Sequence, residues 1–248
     1  MSGHSKWSTI KRKKGANDAK RGKMFTKVIK EISVAAKEGG GDIDTNPRLR
    51  LAVQNAKGIN MPKDNIERAI KKATGSDATS YMEVTYEGYA TNGVAVFVEC
   101  TTDNLNRTVS NVRSLFTKYG GSLGTNGSLE FIFDRKGVFN LPVQEGMDMD
   151  ELELELIDGG AEDIEESEGY LNITSAMEDF GNVQKKLEEL NLESESAELQ
   201  RIPNTLVSLS DDNFSNVMKL IDALEDDDDV QKVYHNIDIS ESQMELIG

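Results

Sequence analysis

Lys11, Arg12, Lys13 and Lys14 stand in one unbroken run, and Lys6, Lys20, Arg21 and Lys23 flank it. Eight of the nine charged side chains in the first 25 residues are positive. Groups this dense neutralise phosphates well, because each Lys or Arg contact releases counterions condensed on a nucleic-acid backbone. An arm of this composition needs no fixed fold before it binds. Trp7 is the one aromatic side chain in the run before Phe25. It either stacks on a base or pins the arm against the segments that follow, and the sequence leaves both open. A membrane surface is the weaker alternative, because the arm lacks the bulky apolar face of an interfacial helix.

Other chemistry is thinly represented. His4 and His235 are the two histidines and Cys100 the one cysteine. The chain therefore has no internal disulfide, no H-x-x-x-H or H-E-x-x-H spacing and no His/Cys set for zinc. A Ser-His-Asp or Cys-His pair meets only in space, so the sequence leaves it open. Cys100 ends an apolar, strand-like run and reads as a buried structural thiol. The run GGSLGTNGS, with Gly120, Gly121, Gly124 and Gly127, superficially suggests a phosphate cradle. It follows a predicted helix and precedes a predicted strand, the reverse of the dinucleotide-binding order, and it lacks the Lys-Ser/Thr of a P-loop. A Gly-rich turn fits better. The tract EDDDD (Glu225 to Asp229) offers oxygen ligands for a hard cation without alternating ligand spacing, so it reads as a solvated helix-to-strand loop. Glu151, Glu153 and Glu155 alternate with leucines and read as the wet face of a helix. The expectation is a non-enzyme with no catalytic residues, no bound metal and no cofactor.

The elements that position the basic groups follow from the charge distribution. The 248 residues carry a net charge of -16. Residues 1–77 hold 18 Lys+Arg against 8 Asp+Glu, a net of +10, whereas the remainder is -26. So sharp a split implies two partners or two jobs. Hydrophobic residues make up 37%, enough for real cores. No apolar run approaches the roughly 18 residues of a membrane-spanning helix, and the basic N-terminus has no hydrophobic segment of the secretory kind after it. We read it as mature protein, cytoplasmic and monomeric.

Residues 1–22 read as a basic flexible arm and 23–77 as a three-helix basic domain. Met24, Val28, Ile32 and Ala36 recur at helical spacing, with Lys20, Lys23, Lys27, Lys30 and Lys37 on another face. Asn46 and Pro47 open a second helix and Gly58 closes it. Pro62 precedes a third, with Ile66, Ala69, Ile70 and Ala73 inward and Lys71 and Lys72 in its last turn. Strand-like runs then begin at Met82 and Val94, joined by Thr91-Asn92-Gly93, followed by a helix (Asn104 to Tyr119) and a strand (Leu129 to Phe133). Residues 135–204 read β-α-β-β-α-β, the ferredoxin-like order. A strand, a helix and a strand after Pro203 supply the missing part of the domain begun at Tyr81. The fold class is thus α+β and multidomain: a three-helix unit, then two α/β domains, the acidic one (135–204) inserted in the middle one (78–134 plus 205–248).

GHSKWSTIKRKK, GKMFTKVIKEI, NPRLRLAVQNAK and MPKDNIERAIKKATG resemble the YebC family, as do YEGYATNGVAVFVECTTDN and GGSLGTNGSLEFIFDRKG. The resemblance covers essentially the whole chain and is most specific over the first 135 residues. It implies three domains with the third inserted in the second, and a DNA-binding transcriptional regulator. Mitochondrial relatives of the family are translational activators for a cytochrome oxidase subunit. Bacterial members are linked to ribosomes struggling with proline-rich peptides.

The expectation is a non-enzymatic nucleic-acid-binding regulator of gene expression, with a ribosome-associated translation factor acting through ribosomal or transfer RNA as the alternative. The expected contacts are Lys6, Trp7, Lys11, Arg12, Lys13, Lys14, Lys20, Arg21, Lys23, Lys27, Arg48, Arg50, Lys63, Arg68, Lys71 and Lys72. No convincing helix-turn-helix signature stands out, although the third helix offers Asn65, Arg68, Lys71 and Lys72 to a groove. The acidic domains would face away from nucleic acid, toward solvent or a basic protein partner. No membrane partner is expected.

Overall fold

The computed structural model describes residues 18–76, 78–144 and 146–247. Helices α1 (Asp18–Gly39), α2 (Pro47–Gly58) and α3 (Lys63–Ala73) come first. Helix α1 begins at Asp18, so the end of the stretch read as an arm is already helical. Asn46 joins α1 to α2. Its Oδ1 accepts the Leu49 N–H at 3.0 Å, and its Nδ2 donates to the carbonyls of Ala35 and Gly40 at 2.8 Å each. One side chain therefore both caps α2 and satisfies carbonyls at the end of α1. The three helices share a core built on Ile32, Ala36, Leu49, Val53, Ile66 and Ala69, the inward positions that the helical period predicts.

Strands β1 (Met82–Tyr89) and β2 (Ala95–Thr102) form an antiparallel hairpin. Its turn puts Asn92 at φ 62° and Gly93 at φ 74°, a left-handed conformation that these two residue types tolerate best. Helix α4 (Leu105–Lys118) and the short β3 (Ser122–Leu123) follow. The chain then leaves for β4 (Phe133–Pro142), α5 (Met149–Asp158), β5 (Ala161–Ser167), β6 (Tyr170–Ala176), α6 (Phe180–Glu189) and β7 (Ser196–Pro203). This unit has the fully antiparallel strand order β5-β6-β4-β7, which is the ferredoxin-like arrangement. The chain returns as β8 (Val207–Ser208), α7 (Asp211–Glu225), β9 (Val230–His235), β10 (Ile237–Asp238) and α8 (Glu241–Ile247).

Strand β9 pairs with β2 and completes the sheet β3-β1-β2-β9. Val96, Val112 and Phe116 from before the insertion pack in one core with Phe214, Ile221 and Val233 from after it. The fold is α+β with the third domain inserted in the second. Among the described residues, no helix is long and apolar enough to cross a membrane.

One predicted strand does not form. Leu129 to Ile132 make turns, and β4 starts only at Phe133. The cause is Glu87, a buried carboxylate on β1. It accepts the Gly127 N–H at 2.7 Å and the Leu129 N–H at 2.6 Å, which removes donors that a strand ladder would use. Leu129 and Ile132 are still buried, in a small cluster with Phe97, Phe133 and Tyr234. The apolar pattern thus marked burial correctly while the backbone took another path.

The domains are docked by specific contacts. Asn55 of α2 exchanges two hydrogen bonds of 3.0 Å with the backbone of Ala197, on the edge strand β7. A side-chain amide here imitates a neighbouring strand and covers an open sheet edge. Gln54 donates to Ser194 Oγ at 2.9 Å beside it. Gly58 lies so close that a Cβ there would overlap the Glu195 carbonyl. The glycine read as a helix stop is therefore also a close-approach position between domains. Arg201 of β7 pairs with Glu99 of β2 at 3.0 Å and lies 3.7 Å over the Phe97 ring. Lys232 of β9 pairs with Glu198 of β7.

Candidate nucleic-acid interface

Helix α3 presents the clearest free cationic face. Ile66, Ala69 and Ala73 turn inward. Lys63, Arg68, Lys71 and Lys72 are exposed. Lys63 has an exposed partner, Glu67, at 3.5 Å one helical turn away. Arg68, Lys71 and Lys72 have no carboxylate within ion-pair distance among the described residues. Residues three and four apart on a helix are neighbours, so Arg68 sits beside both lysines and the three repel one another. An anion laid across this face relieves that repulsion. Asn65, offered by the sequence as a base reader, is half-buried at the foot of the same helix.

Among the described residues, Arg48, Arg50, Lys23 and Lys27 are instead engaged by groups of the protein itself. Arg48 bridges Glu38 and Glu83, each at 2.5 Å, tying α1 and α2 to β1. Arg50 donates to the carbonyls of Ile43 and Asp44 and braces the loop before α2. Arg21 is exposed, its guanidinium 5.7 Å from the centre of the Phe25 ring. Lys6, Trp7, Lys11, Arg12, Lys13 and Lys14 lie outside the described residues, as does the side chain of Lys20.

Lys23 and Lys27 face the tract at the end of α7. Lys23 Nζ is 2.8 Å from Asp226 Oδ1, and Lys27 Nζ donates to the Glu225 carbonyl at 2.9 Å. One turn further along α1, Lys30 is buried. It donates to the carbonyls of Thr101 and Asp228 at 3.1 and 2.6 Å and pairs with Asp229 at 3.1 Å. The Asp229 carboxylate also receives Arg107 Nη2 at 2.7 Å and the Thr108 hydroxyl at 2.9 Å. Burial alone would raise its pKa; the bonds from Arg107, Lys30 and Thr108 outweigh that and hold it below the usual carboxylate range. The tract is therefore not the solvated loop its composition suggested. It is the receptor for the lysine stripe of α1, where ammonium groups also meet the negative end of the α7 dipole. The sequence pointed to Lys30 only as one of the lysines on a helix face and to Asp229 only as the end of the acidic tract, and it did not mark Arg107 or Thr108 at all. The signal was present only as a lysine every three or four residues on α1 and a carboxylate run about 200 residues away.

The remaining sequence candidates are structural. Cys100 is buried, and desolvation, with Asp227 and Asp229 adding to it, pushes its thiol up to about 12. It does not ionise near neutral pH, so it is a poor nucleophile. Glu87 occupies the amides of the Gly-rich turn, where a phosphate would have to bind. His235 is buried on β9. Among the described residues, no three His, Cys, Asp or Glu side chains converge as a metal site.

Known proteins match this architecture. The family model described as TACO1/YebC protein N-terminal domain matches residues 5–76, and that described as TACO1/YebC second and third domain matches residues 81–237. A protein of Amoebophilus asiaticus named "Probable transcriptional regulatory protein" is 60% identical over 96% of this chain and 98% of its own. One of Geotalea uraniireducens with the same name is 55% identical over 99% of each chain. The crystal structure of a conserved hypothetical protein from Aquifex aeolicus superposes with a TM-score of 0.80 at 45% identity, covering 90% of this chain and 93% of that one. The chain belongs to the TACO1/YebC family.

Proposed function

We propose that the protein is a non-enzymatic regulator of gene expression that binds nucleic acid through its helical domain. One observation supports this above the others: Arg68, Lys71 and Lys72 form an exposed, unpaired cationic face in a chain of net charge -16. The basic run from Lys6 to Lys14 is continuous with this domain in sequence and would add backbone contacts. The names of the relatives, probable transcriptional regulatory proteins, agree with a role in gene expression.

RNA is the second reading, and a specific feature favours it. The free face consists of cations in the last two turns of α3, whereas a groove-reading helix places its base contacts near its N-terminal end. Cations without base-reading amides follow phosphate shape, which suits structured RNA as a translation factor would meet it. The test is a titration of the full chain with duplex DNA and with structured RNA over a range of salt. Replacing Arg68, Lys71 and Lys72 by Gln should lower the slope of log K against log salt by about two to three. An unchanged slope on both polymers would remove α3 from the interface.

A further inference from the structure

Helix α5 of the inserted domain carries a second unpartnered face, of opposite charge. Leu152 and Leu156 turn into the core, yet Leu154 and Ile157 are 68% and 57% exposed. Three positions apart, they sit side by side on the helix. Four exposed carboxylates surround them at helical spacings of three or four: Asp150 and Glu151 beside Leu154, Glu153 beside Ile157, and Asp158 one turn beyond Leu154. None of the four has a cation within ion-pair distance among the described residues; the ion pair that α5 does make is Glu155 with Lys186 at 2.8 Å. The last turn contains no basic residue, so Asp158 adds to the negative end of the helix dipole.

We propose that this face docks a cationic amphipathic segment of a partner protein, with aliphatic side chains on Leu154 and Ile157 and Lys or Arg groups on the surrounding carboxylates. Charge selects the occupant. Nucleic acid and the anionic surface of a membrane are both repelled by four unpaired carboxylates and a helix C-terminus. A neutral apolar partner would leave those carboxylates partly desolvated and unpaired, which is unfavourable. A basic helix laid along α5 satisfies both the aliphatic pair and the carboxylates, the helix-on-helix mode of peptide recognition. The face lies in a different domain from the cations of α3, so it stands whether or not those bind nucleic acid.

The probe is a synthetic helical peptide with leucines on one face and lysines on the other, titrated into the full chain by fluorescence anisotropy. A peptide of the same composition scrambled to remove the leucine face is the control. The expected result is binding of the amphipathic peptide at least tenfold tighter than of the scrambled one, with the difference lost in a Leu154→Ser/Ile157→Ser variant. Both positions are exposed, so that variant keeps its fold, and an unchanged melting temperature checks this. Equal binding of both peptides, or an unchanged preference in the variant, would overturn the proposal by reducing the effect to general electrostatics. Sedimentation showing a dimer of the free protein that the double variant abolishes would also overturn it, by making a second copy the occupant.

Discussion

Lys30 and Asp229 are 199 residues apart in sequence and 3.1 Å apart in the fold, both buried. Their ion pair joins the helical domain to the middle domain. It also explains why an acidic chain places lysines at every third or fourth position on α1. Removing the carboxylate leaves the Lys30 ammonium in the interior with two carbonyls and the Tyr81 ring, 5.6 Å away, but no anion to neutralise it. Cutting one partner from a buried pair typically costs about 3–5 kcal/mol. Asp229→Ala should therefore lower the melting temperature by roughly 6–20 °C, at about 2–4 °C per kcal/mol for a chain of this size. Asp229→Asn, which keeps some hydrogen bonds, should cost less. Thermal unfolding of the two variants beside the parent checks the order; equal melting temperatures for all three would mean that the pair is neutral.

Two carboxylates at the domain junctions should give opposite pH signatures. Asp229 has a depressed pKa, so its stabilisation is complete above the unfolded value near 3.8 and is lost as pH falls through the lower folded one. Glu31, on α1, is pushed up by burial, an effect that Lys232 only partly offsets. Its contribution is fully present below the unfolded value near 4.5 and is lost as pH rises through the higher folded one. Glu31→Gln should thus melt above the parent at pH 7 and lose that advantage toward pH 4. Asp229→Asn should melt below the parent at pH 7 and converge on it as pH falls below 4. Melting curves from pH 3 to 8 for the three proteins decide the point, and parallel profiles would contradict both assignments.

The fold was legible because its signals are local. Asn46-Pro47, Asn92-Gly93 and the apolar spacing on α3 each act through neighbours in sequence, and each does in the structure what its chemistry predicts. The β-α-β-β-α-β order of the insertion followed from the same local periods. What the sequence hid is long-range. Lys23 and Lys27 have the same composition as Lys71 and Lys72, and only the fold shows that the first pair meets the Glu225 to Asp229 tract while the second pair meets solvent. Glu87 likewise looks like any strand glutamate until the chain brings Gly127 and Leu129 to it.

Gly58 makes a further case. Ala is ordinarily favoured over Gly in a helix by about 0.8–1.0 kcal/mol, so a view of α2 alone would expect Gly58→Ala to stabilise. The Glu195 carbonyl lies where the new methyl would go, and backbone cannot rotate away as a side chain can. The clash wins, and Gly58→Ala should destabilise the docking of α2 on β7. The amide of Ala197, which donates to Asn55 Oδ1, reports on that contact directly. Its hydrogen exchange should accelerate in Gly58→Ala and in Asn55→Ala, while the amides of β6 stay protected. Unchanged exchange at Ala197 would show that the helix has room to move.

The lysine clasp bears on nucleic-acid binding as well as on stability. Asp226 presents to Lys23 the kind of anionic oxygen that a phosphate would present, and both side chains are well exposed, at 67% and 43%. An exposed pair of this kind is worth about 1 kcal/mol or less, so a polyanion at hand can displace it. Lys30, buried two turns along, is not released this way. Asp226→Asn/Asp228→Asn should therefore tighten nucleic-acid binding with little loss of stability, because it frees Lys23 while leaving Asp229 in place. General removal of negative charge would also tighten binding, so the control is neutralisation of Glu151 and Glu153 on α5, which removes the same charge without touching the clasp. A larger gain in affinity and a steeper salt dependence in the tract variant than in the α5 variant would show that the tract competes for Lys23. Equal gains would show that it acts only through net charge.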